Sequence, residues 1–342
     1  MKPLRMGLVG FAQGYYATLY SRICSRRKDV EFIGVCDLWM SSSDVEACAE
    51  ITAEKHAHDL GVPLFHHFKD LLEEEPQALI ITCETADHHR YAISAIEHGI
   101  HAFIGKPMTV SSAAAREIIT ARAKHPGVVI LPGEPARYED GMIQGRQSVL
   151  SGEVGRPLMV HLSINHPAMT NHSWQMDVAR SGGPFIEFGS YVVDLVEWVI
   201  GSPVVSVYAL AENFMHPQVG GPDNGKLLCQ HANGTLSSLD ILCSIRWGYP
   251  FLGLEVICER GSIRADYHNY SVYIQRSDSS RLAETRVSAM NQREIEHFLD
   301  CVLYGAQPII TPEEYLSTIL LLEAACTSLE TKSPVRIIRD GV

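Results

Sequence analysis

The stretch "HAFIGKPMTV", residues 101–110, places a lysine at the end of an apolar, strand-like run. Ala102, Phe103 and Ile104 read as that strand, and Gly105, Lys106 and Pro107 follow at once. Pro107 offers no backbone donor and biases Lys106 toward an extended backbone, so a cation is held stiffly at a strand end. A second group lies in "GGPFIEFGSYVVDLVEWVIG". There Glu187, Tyr191, Asp194 and Trp198 recur at i, i+4, i+7 and i+11. A helix carries such residues as one polar stripe able to line a cleft. Phe185, Phe188, Val192, Leu195 and Val199 fall on its other faces and anchor it in a core.

A third group surrounds the first strand, in "GLVGFAQGYYA". A dinucleotide fold wants G-x-G-x-x-G here, for the turn, the approach of the pyrophosphate and the packing of helix on strand. Gly10 supplies the first glycine, Ala12 and Tyr15 replace the other two, and Gln13 completes the turn. The strand, turn and helix nevertheless come in the required order. The second strand ends in Asp37, whose carboxylate suits ribose hydroxyls and repels a 2′-phosphate, so NAD is favoured over NADP. His88 follows the next strand, at the carboxyl edge of the sheet where ligands gather. It either contacts the nicotinamide ribose or helps to position Lys106. The irregular stretch "INHPAMTNHSWQMDVARSGG" offers His166, Trp174 and Arg180 for substrate binding. A Trp face suits a sugar ring, and an Arg suits a carboxylate or hydroxyls. His161, His166 and His172 match no zinc spacing, and no metal site is expected.

The elements that must position these groups fall into two patterns. Strand and helix alternate through "RMGLVG", "VEFIGVCD", "ALIITC", "HAFIG" and "GVVILPG", which implies a doubly wound parallel sheet. A polar helix is expected over 43–61 with Gly61 as its C-cap, and another with Ser111 or Ser112 as its N-cap. From "RPLMVHLSIN" to "SVYIQR" the runs alternate apolar and polar between Gly, Asn, Asp and Pro, as in a mainly antiparallel sheet. Helices over roughly 290–304 and 312–330 close the chain. The expected architecture is an α/β protein: a Rossmann domain over 1–130 and a substrate-binding, oligomerising α+β domain over 131–342.

Composition narrows the class. The chain has 342 residues and a formal net charge of −12, which argues against a nucleic-acid partner. Nine scattered cysteines form no C-x-x-C pair and read as reduced, buried thiols. The opening "MKPLRMGLVG" runs straight into a strand pattern, and no apolar run suffices to span a bilayer, so a cytoplasmic protein is expected.

The stretch "HHRYAISAIEHGIHAFIGKPMTVS" resembles the Gfo/Idh/MocA oxidoreductases, with His88, Gly99, His101, Lys106 and Pro107 in place without a gap. "GGPFIEFGSYVVDLVEWVIG" resembles the family's Gly-Gly-x-x-x-Asp-x-Gly-x-His-x-x-Asp helix, and the final helices are also similar, so the resemblance covers nearly the whole chain. It implies an N-terminal Rossmann domain, a C-terminal open sheet that often forms the subunit interface, and NAD(P)-linked oxidation or reduction of a sugar, polyol or related small molecule. It implies that Lys106 lies near the nicotinamide and the reacting hydroxyl. It also matches Arg137 to an arginine after the interdomain strand. The departures are Gly105 for the glutamate before the lysine, Glu187 for Asp, Tyr191 for the catalytic His, Ala12 for the second glycine, and Cys83-Glu84 for a Thr-Pro pair.

The expected site follows. Lys106, Tyr191 and Glu187 are the catalytic candidates. Gly10, Ala12, Gln13, Asp37, Cys83, His88 and Lys106 are expected at the cofactor, and Arg137, His166, Trp174, Arg180 and Asp194 at the substrate. Hydride transfer from an alcohol needs a base for the hydroxyl proton. A free phenol, with a pKa near ~10, is a poor base at neutral pH, and a fixed ammonium nearby lowers it. An ionised Glu187 nearby opposes that effect, or else pairs with Lys106 or holds a substrate hydroxyl. Two other readings compete: a redox-neutral NAD-using glycosidase or lyase, and a noncatalytic ligand-binding member of the fold. Net NADH formation with a free sugar separates the first reading from the second, for which release of nitrophenol without NADH is diagnostic. A homodimer or homotetramer is expected.

Overall fold

The computed structural model describes residues 2–38, 52–167, 173–245, 250–266, 271–276, 278–284 and 289–339. Two compact units emerge. The first comprises Met1–Glu134, Asn171–Gly182 and Asn291–Leu316, and the second Pro135–Thr170, Gly183–Met290 and Ser317–Val342. The change of pattern expected at residue 130 lies close to the first switch, at Glu134. Two later segments, however, return to the first unit, which a single cut in the sequence does not capture.

The first unit is built on six parallel strands: β1 (Leu4–Val9), β2 (Val30–Cys36), β3 (Leu64–Phe65), β4 (Ala78–Ile81), β5 (His101–Ile104) and β6 (Ile130–Pro132). Their order is β3-β2-β1-β4-β5-β6, the doubly wound arrangement. The central strands are apolar on both faces: Leu8, Leu79, Ile80, Ile81 and Phe103 are wholly buried. The returning helix Met290–Tyr304 brings Phe298 to within 5.9 Å of Phe103, whose other neighbour is Tyr20 at 4.9 Å. Local capping accounts for the helix ends. Thr52 caps Ala53–Leu60, which stops at Gly61 in the left-handed region. Ser111 caps Ser112–Lys124. The earlier part of the helix expected over 43–61, through residue 51, lies outside the described residues. The short β3 and the helix Phe68–Glu73 have too little periodicity to be read from sequence.

The second unit holds nine strands: β7 (Pro157–Pro167), β8 (Val204–Glu212), β9 (Asn224–His231), β10 (Leu236–Ile245), β11 (Leu252–Cys258), β12 (Gly261–Asp266), β13 (Ser271–Arg276), β14 (Ser280–Glu284) and β15 (Val335–Arg336). Their order is β14-β13-β12-β11-β7-β10-β9-β8-β15. All neighbours are antiparallel except β7 and β10, so the sheet is mainly antiparallel. Strand alternation sets its two faces. Val160, Leu162, Ile164, Leu239, Ile241, Leu254 and Val256 are buried, while Met159, Leu236 and Ile257 are exposed. The helix Gly183–Ile200 packs on the buried side, close enough that a Cβ on Gly189 would lie 3.0 Å from Ile241 Cδ1. Among the described residues no helix is long and apolar enough to cross a membrane.

Candidate active site

In the first unit the polar groups converge on the carboxyl ends of β1, β4 and β5. Gly10 ends β1 at φ +80°, and a Cβ there would lie 2.3 Å from Cys83 Cβ, so only glycine makes this turn. The turn is pinned on three sides: Gly10 N–H donates to Cys36 O at 2.7 Å, Thr82 Oγ1 to Gly10 O at 2.7 Å, and Gln13 N–H to Thr82 O at 3.0 Å. Asp37 follows β2, half-buried, its N–H bonded to Phe65 O at 2.9 Å. A tight glycine turn opening a helix, with a carboxylate at the end of the next strand, fits an adenine dinucleotide even without the second and third fingerprint glycines. Cys83 is buried, and desolvation holds its thiol well above the usual range, so it lines the turn as an inert thiol.

Lys106 sits buried after β5, and its backbone is braced from both sides. Gln13 Nε2 donates to Lys106 O at 2.9 Å. His88 is fully buried, with Nδ1 3.0 Å from Pro107 O and Nε2 3.1 Å from Cys83 O. Burial outweighs these carbonyls and lowers the His88 pKa to about 4, so the ring is neutral near pH 7. His88 thus links the carbonyl that follows Lys106 to the one that ends the Thr82-Cys83 turn. Glu294 is wholly buried, accepting from Tyr20 Oη at 2.7 Å and from the Glu134 amide. Burial pushes its carboxyl up to about 8, against the opposing effects of Tyr20, the Glu134 amide and the charge of Lys106.

The segment expected to meet substrate folds instead onto this cofactor edge. Trp174 is buried, and its indole N–H donates to Ala12 O at 3.1 Å. Arg180 grips Glu84, just after β4, through Nε and Nη2 at 2.7 Å each. Trp174 and Arg180, both expected at the substrate, thus have protein partners in this structure. The indole N–H and two guanidinium donors are spent on the phosphate turn and on Glu84.

In the second unit the helix stripe divides. Asp194 is buried and receives Arg137 Nε at 2.7 Å, Arg137 Nη2 at 2.8 Å and Thr318 Oγ1 at 3.1 Å. Arg137 also lies 5.6 Å from the centre of the Trp198 ring, which Arg146 covers at 4.8 Å. Arg137 and Asp194, both expected at the substrate, are each the buried counter-charge of the other. Tyr191 and Glu187 are buried one and two turns nearer the helix start, with Tyr191 edge-on to Phe251 at 5.7 Å. His166 packs on Phe188 at 4.1 Å, its Nδ1 facing Pro167 O at 2.8 Å. His161 pairs with Asp240 at 3.2 Å on the exposed face, and His172 lies outside the described residues.

Sequence reasoning missed Glu294 and the partnership of Glu84 with Arg180. Glu294 lies 160 positions from Glu134 and belongs to no motif, and its only signal is a carboxylate in an otherwise apolar helix face.

Comparison with known proteins agrees with this geometry. Residues 4–132 match the family model described as "Oxidoreductase family, NAD-binding Rossmann fold", and residues 142–264 match "GFO/IDH/MocA C-terminal domain". Among curated relatives, scyllo-inositol 2-dehydrogenase (NAD(+)) of Bacillus subtilis is 24% identical over 83% of this chain and 85% of its own length. Myo-inositol 2-dehydrogenase of Thermotoga maritima is 21% identical over 98% of both chains. Among solved structures, GenD2 from gentamicin A biosynthesis, in complex with NAD, shares the fold with a TM-score of 0.85 at 19% identity, over 99% of this chain and 97% of its own. With both family models covering most of its length, the chain belongs to the Gfo/Idh/MocA family of NAD-binding oxidoreductases.

Proposed function

We propose that the enzyme oxidises a secondary hydroxyl of a polyol or sugar-like substrate, or reduces the matching ketone. NAD, held by Gly10 and Asp37, supplies the hydride acceptor. Lys106 provides a fixed cation for the reacting oxygen, and Tyr191 takes its proton. Glu187 holds a neighbouring hydroxyl. The observation that carries this reading is the buried lysine after β5, braced by Gln13 and His88 at the carboxyl edge of a Rossmann sheet. The names of the inositol dehydrogenase relatives support a polyol. The test is NADH formation with a panel of inositols and free sugars. Absence of NADH with every member, under conditions where NAD binds, overturns it.

A second reading, in which NAD is reduced and reoxidised within one cycle, has its own support. Trp174 and Arg180 tie residues 173–182 to the cofactor turn and to the end of β4, an arrangement suited to a cofactor that stays bound. Release of nitrophenol from a nitrophenyl glycoside without net NADH would select it. We also propose a homo-oligomer built on the outer face of the second sheet, where Met159, Leu228, Leu236 and Ile257 are half exposed or more. Sedimentation as a monomer at micromolar concentration would contradict that assembly.

A further inference from the structure

We propose that Gln13 and Gly105 are a matched pair, in which Gln13 is a positioning residue for Lys106. Its carboxamide reaches from the phosphate turn, fills the space that a side chain at 105 would need, and fixes the Lys106 carbonyl. The inference rests on the reading of Lys106 given above.

The geometry is one-sided. Gly105 is not in the left-handed region, so its backbone does not demand glycine. Space does. A Cβ at 105 would lie 2.2 Å from Gln13 Oε1 and 3.2 Å from Ile81 O. The Ile81 carbonyl would have to give by a few tenths of an ångström, and Gln13 Oε1, the far end of a side chain, would have to move away. Gln13 is itself anchored, with 5% exposure, its N–H on Thr82 O at 3.0 Å and its Nε2 on Lys106 O at 2.9 Å. Moving the carboxamide to admit a side chain at 105 would break the bond to Lys106.

The same carboxamide carries a cost. Gln13 Oε1 is buried without a hydrogen-bond partner, and a buried acceptor left unmatched is destabilising. A methionine would fill the space without that penalty. What glutamine adds is the donor end, and that donor is spent on the backbone of Lys106. The turn that receives the cofactor and the residue that carries the cation are thus tied by one side chain, so the placement of one is transmitted to the other.

Four variants of the full chain test this: Gln13→Met, Gln13→Ala, Gly105→Ala and the Gln13→Ala/Gly105→Ala double variant. NAD+ affinity by calorimetry and the thermal midpoint test the pairing without any substrate. Gly105→Ala should weaken NAD+ binding about 10-fold alone and less than about 2-fold in the Gln13→Ala background, the non-additivity expected of groups in contact. Equal losses in the two backgrounds overturn the pair. Turnover of myo-inositol and scyllo-inositol tests positioning. Gln13→Met should lower kcat by ~10-fold to 10²-fold with NAD+ affinity and thermal midpoint nearly unchanged, as misplacement of a reacting group does. A kcat within about 2-fold of the parent, or a loss seen only in KM for NAD+, overturns the positioning role. If the parent turns over neither polyol, the substrate reading fails, while the cycle in NAD+ affinity still decides whether the two residues are matched.

Discussion

The carboxyl edge of the first sheet and the polar stripe of the 183–200 helix look alike in sequence, since each is a short run of chemistry-bearing residues in an apolar setting. They are built differently. At the sheet edge, side chains serve the backbone: Gln13, Thr82 and His88 all bond main-chain groups, and what they hold in place is a turn and a lysine. On the helix, side chains serve each other. Asp194 and Trp198 are consumed by Arg137 and Arg146, which leaves Glu187 and Tyr191 as the part of the stripe proposed for chemistry. A helix face repeats a residue type for packing as readily as for catalysis, whereas a cation on a strand-end turn has few structural reasons to be buried.

The largest effect separates the two regions by function. Lys106→Met keeps most of the bulk and removes the cation. Turnover should fall by ~10²–10⁴, the scale of lost acid–base assistance, with NAD+ affinity nearly intact. Tyr191→Phe should be similarly slow, and the double variant little worse than either, as for groups acting as a unit. Near-normal turnover by Lys106→Met would end the distinction drawn here.

The next effect is on stability. Removing one member of a buried ion pair strands the other. Asp194→Ala should therefore lower unfolding stability by about 3–5 kcal/mol, read from urea denaturation. Replacing both partners, Arg137→Met with Asp194→Leu, should recover much of that loss. A stable Asp194→Ala variant with a raised KM for polyol would return Asp194 to the substrate site.

What was legible follows from this contrast. The parallel sheet, Gly10, Asp37, the Gly61 and Ser111 caps and the alternating strands rest on local rules, and the sequence displays them. The partners of Trp174, Arg180 and Glu294 are set by segments that return to the first unit from more than 90 positions away. No local pattern records such returns. By residue type alone, a Trp and an Arg in a long loop suit a sugar. The structure gives them protein partners because both lie where the chain folds back onto the cofactor edge.

Glu294 offers a pH-dependent test of that return. Its folded value, about 8, lies above the ordinary 4.5. Between those values the unfolded chain has released a proton that the folded chain retains, so stability should fall as pH rises through this window and level off above it. Glu294→Gln mimics the protonated form. It should be more stable than the parent at pH 7 by roughly 2–3 kcal/mol, and the two should converge near pH 4.5. Parallel stability curves would show that Glu294 is ionised in the folded protein.

The smallest effect concerns the grip of residues 173–182. The Arg180–Glu84 pair is bidentate but partly exposed, with side-chain exposures of 30% and 11%. Solvent screening limits such a pair to about 0.5–1 kcal/mol. Arg180→Lys keeps the charge and loses the fork, so it separates geometry from simple attraction. If the pair helps to hold the segment over the cofactor turn, release of NADH measured by stopped-flow fluorescence should quicken by roughly 2–5-fold, and raising the salt should narrow the gap between parent and variant. Trp174→Phe, which keeps the ring but loses the indole donor to Ala12, should act in the same direction. Unchanged release in both variants would mean that the contacts only pack the segment, and the redox-neutral reading would lose its structural support.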